Sequence, residues 1–289
     1  MSLDLLQRFI FDHSDVRGEV IYLENSLQAI LANGNYPDKI NRLVGEITAA
    51  AGLLSATMKF DGILNIQARG EGDLTLLMAD CTRQHMLRGI ARLQEGADPS
   101  SEIFTALLGS GHLAITIDPT EGERYQGIVP LECDNLSSCI ENYFTQSEQL
   151  PTRLWLFCDG VKAGGLLLQG LPIQYQHPDE RDEYWQHLCV LADTMDSAEF
   201  LAASPEAVLT RLFHQEQIRL FPPTSMEFGC SCSEARTADM LASLGEEEVR
   251  EILKENGNVE IQCQFCHQQY HFDAHQIDKI FSKNIKTLH

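Results

Sequence analysis

Short apolar or alternating runs, separated by glycine, aspartate and proline, recur along the first 177 residues of the chain. Apolar and polar side chains alternate with a period of two residues in strands that bury one face. The turn-forming residues between the runs end each strand. Asp159-Gly160 stands between two such runs and predicts a hairpin with Asp-Gly as its turn, because both turn positions need positive φ. The strands predicted in this way cover residues 64–68, 74–78, 113–117, 153–158 and 161–168.

Two segments between these runs have helical periodicity instead. Residues 38–57 are rich in alanine and leucine and carry one apolar face, and residues 135–147 form a second predicted helix. Helices and strands do not alternate strictly along the chain. We therefore predict an α+β fold, with β-sheets and packed helices over residues 1–177, rather than a doubly wound parallel sheet.

The pattern changes near Pro178. Residues 178–229 contain ten acidic and three basic side chains, and their apolar side chains recur at helical spacing. This segment is predicted to be an amphipathic helical linker rather than a flexible one. A second helix of the linker is expected to begin after Ser204. Serine can cap a helix, and Pro205 suits the first helical position.

The apolar stripe of the linker has two interpretations, which the pattern alone leaves open. The stripe either packs permanently on the N-terminal domain, as most such stripes do, or it undocks under some condition and exposes apolar surface. In the second case its large side chains become candidates for contact with apolar surface of a partner. Those candidates are Tyr184, Trp185, Leu188 and Met195.

Residues 230–289 form a third predicted unit. A helix is expected over residues 246–256, where acidic residues crowd the first turn and Gly257 follows the end. A short strand at 259–261 leads into Cys263, and a last helix is expected after Asp273.

Charge and hydropathy narrow the function classes. The net charge of −21 argues against nucleic acid and anionic lipid as partners. No run approaches the roughly 18 consecutive apolar residues that a membrane helix needs. The N-terminal residues also lack the basic start and apolar run of a signal peptide. We therefore expect a cytosolic protein.

The nine cysteines fall into two groups. Free cysteine is among the most buried residue types, so the scattered ones are interpreted as small core side chains without an assigned role. The other four form two tight pairs, Cys230-Ser231-Cys232 and Cys263-Gln264-Phe265-Cys266. The five scattered cysteines are Cys81, Cys133, Cys139, Cys158 and Cys189.

Two close cysteine pairs separated by a helical segment are typical of a structural zinc module. Cys230, Cys232, Cys263 and Cys266 would supply four thiolates to one zinc ion, and His267 and His271 are expected to stay outside the site. Four sulfurs leave no open position for water, so hydrolytic zinc chemistry is not expected. The sequence also lacks H-E-x-x-H, G-x-S-x-G and phosphate-loop motifs. We therefore predict that the chain is not an enzyme.

Thiolate ligands can be lost by oxidation. Disulfides within each pair would close loops of only a few residues and would leave the two sides of the module unconnected. A disulfide across the pairs would hold the module together. The spacing alone leaves both pairings open, but only the first would make a redox switch that opens.

Several motifs together resemble a known family. The stretch from Cys230 to Arg236, the later C-x-x-C and Tyr270-x-Phe272 are similar to the redox-regulated 33 kDa chaperonin family, heat-shock protein 33. Upstream segments agree in the same order, and the resemblance covers essentially the whole chain. These segments are 70–80, 143–152, 163–172 and 204–214.

The resemblance implies a bacterial, cytosolic, ATP-independent chaperone that binds unfolding proteins under oxidative stress. It implies a zinc ion held by the four cysteines in the reduced, inactive form. It also implies that disulfides Cys230–Cys232 and Cys263–Cys266 form on oxidation, with zinc release and unfolding of the C-terminal region and linker. The oxidised form is expected to be a homodimer. The implied domains are 1–177, the linker 178–229 and the redox-switch domain 230–289.

Two other functions are weaker. A zinc-module transcription factor should carry a basic face, but the helix predicted at 246–256 has five acidic and two basic residues. A thiol-disulfide oxidoreductase normally places its C-x-x-C at a helix start in a thioredoxin-like setting, whereas this one follows a short strand. The sequence does not decide whether the linker or the N-terminal sheet contacts clients.

Overall fold

The computed structural model describes residues 4–58, 61–97, 99, 101, 103–172 and 177–284 of the chain. The chain divides into two compact units, called here the N-terminal unit (Met1–Gly229) and the C-terminal unit (Cys230–His289). The strands are β1 (Leu5–Phe11), β2 (Val16–Leu23), β3 (Gly62–Gly70), β4 (Leu74–Thr82), β5 (Met86–Leu93), β6 (Gly111–Pro119), β7 (Tyr125–Pro130), β8 (Thr152–Cys158), β9 (Ala163–Gly170), β10 (Ile218–Leu220), β11 (Thr224–Ser225), β12 (Glu227–Phe228), β13 (Val259–Gln262) and β14 (Gln269–Phe272).

Several helices begin where the sequence supplies a capping side chain. Asn135, Asp196, Ser204 and Ser233 each accept a hydrogen bond from a backbone N–H of the first helical turn. No helix among the described residues is both long and apolar enough to cross a membrane. The helices are α1 (Asn25–Leu31), α2 (Asp38–Thr57), α3 (Phe104–Leu108), α4 (Leu136–Tyr143), α5 (Pro178–Ala192), α6 (Ser197–Ala202), α7 (Pro205–Leu212), α8 (Glu234–Leu244), α9 (Glu246–Asn256) and α10 (Ala274–Asn284), and a π-helical turn covers Phe144–Glu148.

Two sheets build the N-terminal unit. The first sheet has the order β10-β1-β2-β9-β8, and β11 also pairs with β1. The second sheet has the order β12-β5-β4-β3-β6-β7. Among the described strands, β12 and β5 form the one parallel pair, and all other neighbours are antiparallel. The prediction of an α+β fold is therefore confirmed.

Helix α2 lies between the two sheets, in the centre of the N-terminal unit. It contacts strands of both sheets, and its residues belong to the large apolar core that the sheets share. Small residues allow this close approach. A Cβ placed at Gly89 of the second sheet would lie 2.7 Å from the Thr48 hydroxyl oxygen, and one at Gly45 would collide with the Cys158 sulfur of the first sheet.

The linker helices α5, α6 and α7 cover the opposite face of the first sheet. Side chains alternate along its strands, so that Ile21 faces the central core while Val20 and Tyr22 face the linker helices. We call this second core the linker cluster. Its buried members are Phe9, Phe11, Val16, Val20, Tyr22, Leu166, Leu168, Leu188, Ala192, Phe200, Leu201, Val208, Leu209, Leu212 and Phe213.

Aromatic rings contribute to the linker cluster. The rings of Tyr22 and Phe200 stack with centroids 4.9 Å apart and planes 4° from parallel. The ring of Tyr184 meets Phe11 edge-on at 6.1 Å. The linker helices are thus bound to the sheet by a continuous apolar interface.

Most predicted elements are confirmed, and the differences have local causes. The hairpin between β8 and β9 has a four-residue turn in which only Gly160 has positive φ, because the Asp159 carboxylate accepts N–H bonds from Val161 and Lys162. The helix expected over 135–147 continues after Tyr143 as the π-helical turn. Helix α5 ends at Ala192, so Met195 lies beyond the helix whose apolar spacing it continues.

The C-terminal unit has a small core of its own. Helices α8, α9 and α10 pack with the hairpin β13–β14, and the buried apolar side chains number only six in the described part of the unit. Gly257 ends α9 in the left-handed conformation with φ of 78°, as its position in the sequence predicts. Units of this size need a further cross-link for stability. The buried apolar side chains are Leu241, Val249, Val259, Phe272, Ile277 and Phe281.

Candidate metal centre

The first cysteine pair lies in the loop before α8, and the cap of that helix fixes the loop. The Ser233 hydroxyl accepts a hydrogen bond from the Arg236 backbone N–H at 3.2 Å. The Arg236 guanidinium reaches back and donates to the Ser231 carbonyl at 3.0 Å. Ser231 stands between Cys230 and Cys232, so the start of α8 holds both sulfurs in position.

The second cysteine pair lies in the turn that joins β13 to β14. The Cys263 N–H donates to the Gln268 carbonyl and the His267 N–H donates to the Cys263 carbonyl, both at 2.9 Å. His267 has φ of 56°, a left-handed conformation that turns the chain back toward β14. This tight turn places Cys263 and Cys266 on the same side of the hairpin.

The two pairs meet at one point. All four Sγ atoms lie within 4.8 Å of one another. The Sγ atoms of Cys230 and Cys263 are 3.6 Å apart, and those of Cys232 and Cys266 are 3.3 Å apart. A zinc tetrahedron with bonds of about 2.3 Å has sulfur–sulfur edges of about 3.8 Å. The arrangement therefore fits a tetrahedral metal ion, and the sulfurs are too far apart to be disulfide-bonded.

Without a cation, the Cys266 thiol disfavours its ionised form. Burial, together with the neighbouring sulfurs of Cys232, Cys230 and Cys263, raises the pKa of Cys266 to about 12, against a lowering by the Gln268 N–H. Bringing four sulfurs this close as thiolates requires a positive charge among them. The chemistry of the donor set thus points to a metal ion.

Tyr270 of β14 adds a hydrogen bond to the site. Its hydroxyl donates to the Cys232 sulfur at 3.2 Å, and this bond raises the pKa of the phenol to about 12. Such bonds orient metal-binding sulfurs and tune their basicity. The sequence marks Tyr270 only as part of the family resemblance and assigns it no role.

The histidines beside the second pair do not join the four sulfurs. His267 and His271 are both exposed, and the His271 Nδ1 lies 3.3 Å from a Glu260 carboxylate oxygen. Among the described residues, the four cysteines form the one cluster of three or more metal-ligand side chains within this range. A set of four sulfurs leaves no position for a water nucleophile.

The five scattered cysteines have different surroundings. Cys81, Cys139, Cys158 and Cys189 are buried, and Cys133 is half-buried. Burial raises the pKa of Cys81 to about 11 and that of Cys158 and Cys189 to about 12. Buried thiols of this kind react slowly with oxidants, because the thiolate is the reactive form.

The four client-binding candidates of the linker all lie in or against the linker cluster. Leu188 is fully buried, while Tyr184, Trp185 and Met195 are half-buried against it. The Tyr184 hydroxyl donates to Glu216 at 2.7 Å. The stripe is therefore docked in this conformation.

Sequence reasoning missed a polar contact at the end of α5. Asp193 accepts hydrogen bonds from the Arg153 guanidinium at 3.0 Å and from the Trp155 indole N–H at 2.9 Å. Both partners belong to β8 of the first sheet. A carboxylate at the C-terminal end of a helix interacts unfavourably with the helix dipole. The position of Asp193 in the sequence could therefore have indicated that another element supplies a positive or hydrogen-bonding partner.

The chain is similar to known proteins over nearly its whole length. A family model described as Hsp33 protein matches residues 4–273. A 33 kDa chaperonin of Pseudomonas syringae pv. syringae is 48% identical over 283 residues, which cover 97% of this chain and 94% of the relative. A 33 kDa chaperonin of Ectopseudomonas mendocina is 50% identical over 284 residues, which cover 96% of this chain and 95% of the relative.

A solved structure has a similar fold. It is the crystal structure of a 33 kDa chaperonin, a heat shock protein 33 homolog, from Thermotoga maritima. The TM-score is 0.81 at 20% sequence identity, and the match covers 98% of this chain and 99% of that chain. At this identity the likeness concerns the fold.

Proposed function

Because the chain belongs to the Hsp33 family of chaperones, we propose that it is a redox-regulated holdase that binds unfolding proteins without ATP. The observation that carries the proposal is the group of four sulfurs within 4.8 Å of one another, drawn from two segments about 30 residues apart. These sulfurs are both a metal centre and an oxidisable group. Their oxidation state thereby controls whether the C-terminal unit stays folded.

In the reduced protein, Cys230, Cys232, Cys263 and Cys266 would hold one zinc ion. Zinc, when bound, supplies a cross-link between the loop before α8 and the β13–β14 turn, worth about 10–16 kcal/mol in small modules. The six buried apolar side chains of the C-terminal unit form too small a core to replace that cross-link. Loss of the four thiolates therefore unfolds this unit.

Peroxide is the oxidant class that would act on the site. Each pair of thiolates gives two electrons to one hydrogen peroxide molecule, which takes two protons from solvent and leaves as two water molecules while one S–S bond forms and the zinc ion passes to solvent. In the folded site, sulfurs of opposite pairs lie 3.6 Å and 3.3 Å apart. Once the site opens, loop-closure entropy favours neighbours in sequence, so Cys230–Cys232 and Cys263–Cys266 are the proposed disulfides.

The linker, residues 178–229, would carry the change into the N-terminal domain, residues 1–177. The strands at the end of the linker are short: β10 has three residues, and β11 and β12 have two each. Once the redox-switch domain, residues 230–289, has unfolded, thermal stress would separate α5, α6 and α7 from the first sheet. This exposes the linker cluster, which includes Tyr184, Trp185, Leu188 and Met195, as apolar surface for clients.

The net charge, the oligomeric state and the location of the protein are consistent with the same proposal. The net charge of −21 keeps a chaperone with exposed apolar surface soluble, and it disfavours nucleic acid as a partner. We propose that the oxidised form is a homodimer, because separated linker clusters offer matching apolar surfaces to a second copy. The proposed site of action is the bacterial cytoplasm, whose reducing state keeps the thiols available.

The test compares reduced chain with chain treated with peroxide at elevated temperature, each added to a thermally unfolding protein whose aggregation is followed by light scattering. We expect suppression by the oxidised chain alone, with release of one zinc ion per chain and disulfides within each pair by mass spectrometry. Equal suppression by both forms would exclude the redox switch. Disulfides between Cys230 and Cys263, or between Cys232 and Cys266, would exclude the opening step.

A further inference from the structure

A basic cleft lies in the N-terminal unit, away from the four cysteines. The cleft has a volume of about 660 Å³ and opens where the first sheet, the second sheet and the C-terminal end of α2 meet. Three arginines line it: Arg8 of β1, Arg17 of β2 and Arg83 of the β4–β5 turn. Asp61 is the one acidic residue of the lining. This concentration of positive charge is unexpected in a chain with a net charge of −21.

The guanidinium groups of the cleft have unused donors. Arg8 lies over the Phe221 ring at 5.7 Å, and its side chain makes no hydrogen bond to any residue that the structure describes. Arg17 donates through Nη2 to the Thr57 carbonyl at the end of α2 and to Gln169, which leaves Nη1 available. Arg83 uses Nη1 in a 3.2 Å ion pair with Asp61, which leaves Nη2.

His85 also lines the cleft, beside the arginines. Its Nδ1 is buried and has no hydrogen-bond partner in the described part of the chain, so this atom does not face the cleft. His85 has φ of 62°, a left-handed conformation that the β4–β5 turn imposes. Burial and the nearby Arg8 both lower the pKa of this imidazole, so at neutral pH the ring adds no charge to the cleft.

The buried carboxyl group nearest the arginines does not neutralise them by direct bonds. Glu19 of β2 lies with one carboxylate oxygen 3.9 Å from the Arg17 Nε, beyond hydrogen-bond distance. Its other carboxylate oxygen has no hydrogen-bond partner among the described residues. The donors of Arg8 and Arg17 thus remain available to a ligand in the cleft.

We propose that this cleft binds a phosphate-bearing anion, with the guanidinium groups of Arg8, Arg17 and Arg83 as donors. Arginine is the side chain best suited to phosphate, because its planar fork donates two parallel hydrogen bonds to two oxygens. Three guanidinium groups offer more hydrogen-bond donors than a single carboxylate can accept. The volume of the cleft exceeds that of one phosphate and has room for a di- or triphosphate group.

Such a ligand would join the two sheets of the N-terminal unit. Arg8 and Arg17 belong to the first sheet, whereas Arg83 belongs to the turn between two strands of the second sheet. A ligand that binds the folded state alone raises its stability by RT ln(1 + [L]/Kd). Binding should therefore raise the melting temperature of the full chain as the ligand concentration rises. This proposal does not depend on the metal centre or on the redox switch.

The test is isothermal titration of the full, reduced chain with inorganic triphosphate at fixed ionic strength, with the melting temperature as a second measurement. Arg8→Gln and Arg83→Gln should each weaken binding by about tenfold or more, because a hydrogen bond to a charged group is worth about 1.5–3 kcal/mol. The control is Arg124→Gln, which removes an exposed arginine outside the cleft and should bind triphosphate like the unchanged chain. Both test positions are exposed, and a circular dichroism spectrum checks that each variant is folded.

Two further titrations separate the sources of the phosphate. If adenosine triphosphate binds more tightly than inorganic triphosphate, the natural ligand is a nucleotide. If it binds equally or more weakly, the ligand is a free polyphosphate. Either result supports the site, provided that Arg8→Gln weakens the binding of both ligands. Absence of binding at millimolar triphosphate, or an equal loss of affinity in Arg124→Gln, would overturn the proposal. Tighter binding of an acidic peptide than of triphosphate at the same ionic strength would also overturn it.

Discussion

At the scale of single residues, the sulfurs of the chain divide by their surroundings. The four metal-centre cysteines are half-buried in loops and lie against one another. Cys81, Cys139, Cys158 and Cys189 are instead enclosed by the core of the N-terminal unit. Partial exposure and mutual contact, rather than the number of cysteines, therefore identify the groups that can bind a metal and react with an oxidant.

Replacing one sulfur of the candidate metal centre should abolish the proposed binding of zinc. In Cys263→Ser, three thiolates remain and the loop before α8 loses one of its two links to the hairpin. We expect bound zinc, measured with a colorimetric chelator after denaturation, to fall from one ion per chain to near zero. The melting transition of the C-terminal unit should disappear with it. Cys133→Ser is the matched control, since Cys133 is also half-buried but lies outside the cluster, and it should keep both.

A second residue-scale prediction concerns Asp193, which joins the end of α5 to β8. Asp193→Asn removes the negative charge of the side chain that accepts hydrogen bonds from Arg153 and Trp155. Because the ion pair is largely exposed, with side-chain exposures of 38% and 48%, the expected loss in unfolding free energy is only about 0.5–1 kcal/mol. Hydrogen exchange of the α5 amides should accelerate. Asp182→Asn, on the exposed side of the same helix, should leave that exchange unchanged.

At the scale of elements, the ends of helices could be predicted from local sequence signals, whereas the long-range pairing of strands could not. Ser204 caps α7 and Gly257 ends α9 as the sequence indicates, because caps depend on neighbouring residues alone. Helix α8 and strand β14 were not predicted, although Ser233 is a capping residue at the start of α8. Sheet order could not be read from the chain, because the pairing of β2 with β9 joins residues about 150 positions apart.

The candidate site was predictable for a similar reason. Each cysteine pair lies in one short loop, so its spacing is visible in the sequence, and the metal chemistry brings the two loops together. The contact of Asp193 with β8 and the hydrogen bond from Tyr270 to Cys232 depend on packing between elements. No sequence spacing encodes such contacts, which is why they were missed.

The docking of α5 on the first sheet can be weakened at one position. Leu188→Ala should leave a cavity in the linker cluster, where Leu188 is fully buried, and cost about 2–5 kcal/mol of unfolding free energy. If undocking exposes client-binding surface, the reduced variant should suppress aggregation of a heated test protein partly without peroxide. Val190→Ala, on the same helix at 64% exposure, is the control and should behave like the unchanged chain. An inactive reduced Leu188→Ala chain with a clearly lowered melting temperature would contradict client binding by this surface.

At the scale of the whole molecule, the N-terminal unit contains a buried acid that couples its stability to pH. Glu19 of β2 is fully buried, and that burial raises its pKa from 4.5 to about 7, against the lowering effect of Arg17 and Arg8. The folded protein then holds this proton more tightly than the unfolded chain does. The contribution of Glu19 to stability is therefore fully present below about pH 4.5 and is lost as the pH rises toward 7.

Glu19→Gln should remove this pH dependence, because glutamine resembles the protonated acid and cannot ionise. Relative to the unchanged chain, the variant should gain unfolding free energy as the pH rises from 4.5 to 8, by an amount on the order of 3 kcal/mol. Denaturant unfolding at several pH values between these limits measures the difference, and Glu95→Gln, an exposed glutamate, should give no such trend. A constant difference between Glu19→Gln and the unchanged chain across this range would mean that Glu19 is ionised throughout, held as a carboxylate by Arg8 and Arg17. In that case the two arginines would be neutralised in the absence of a ligand, and the basic cleft would attract phosphate less strongly than their positions suggest.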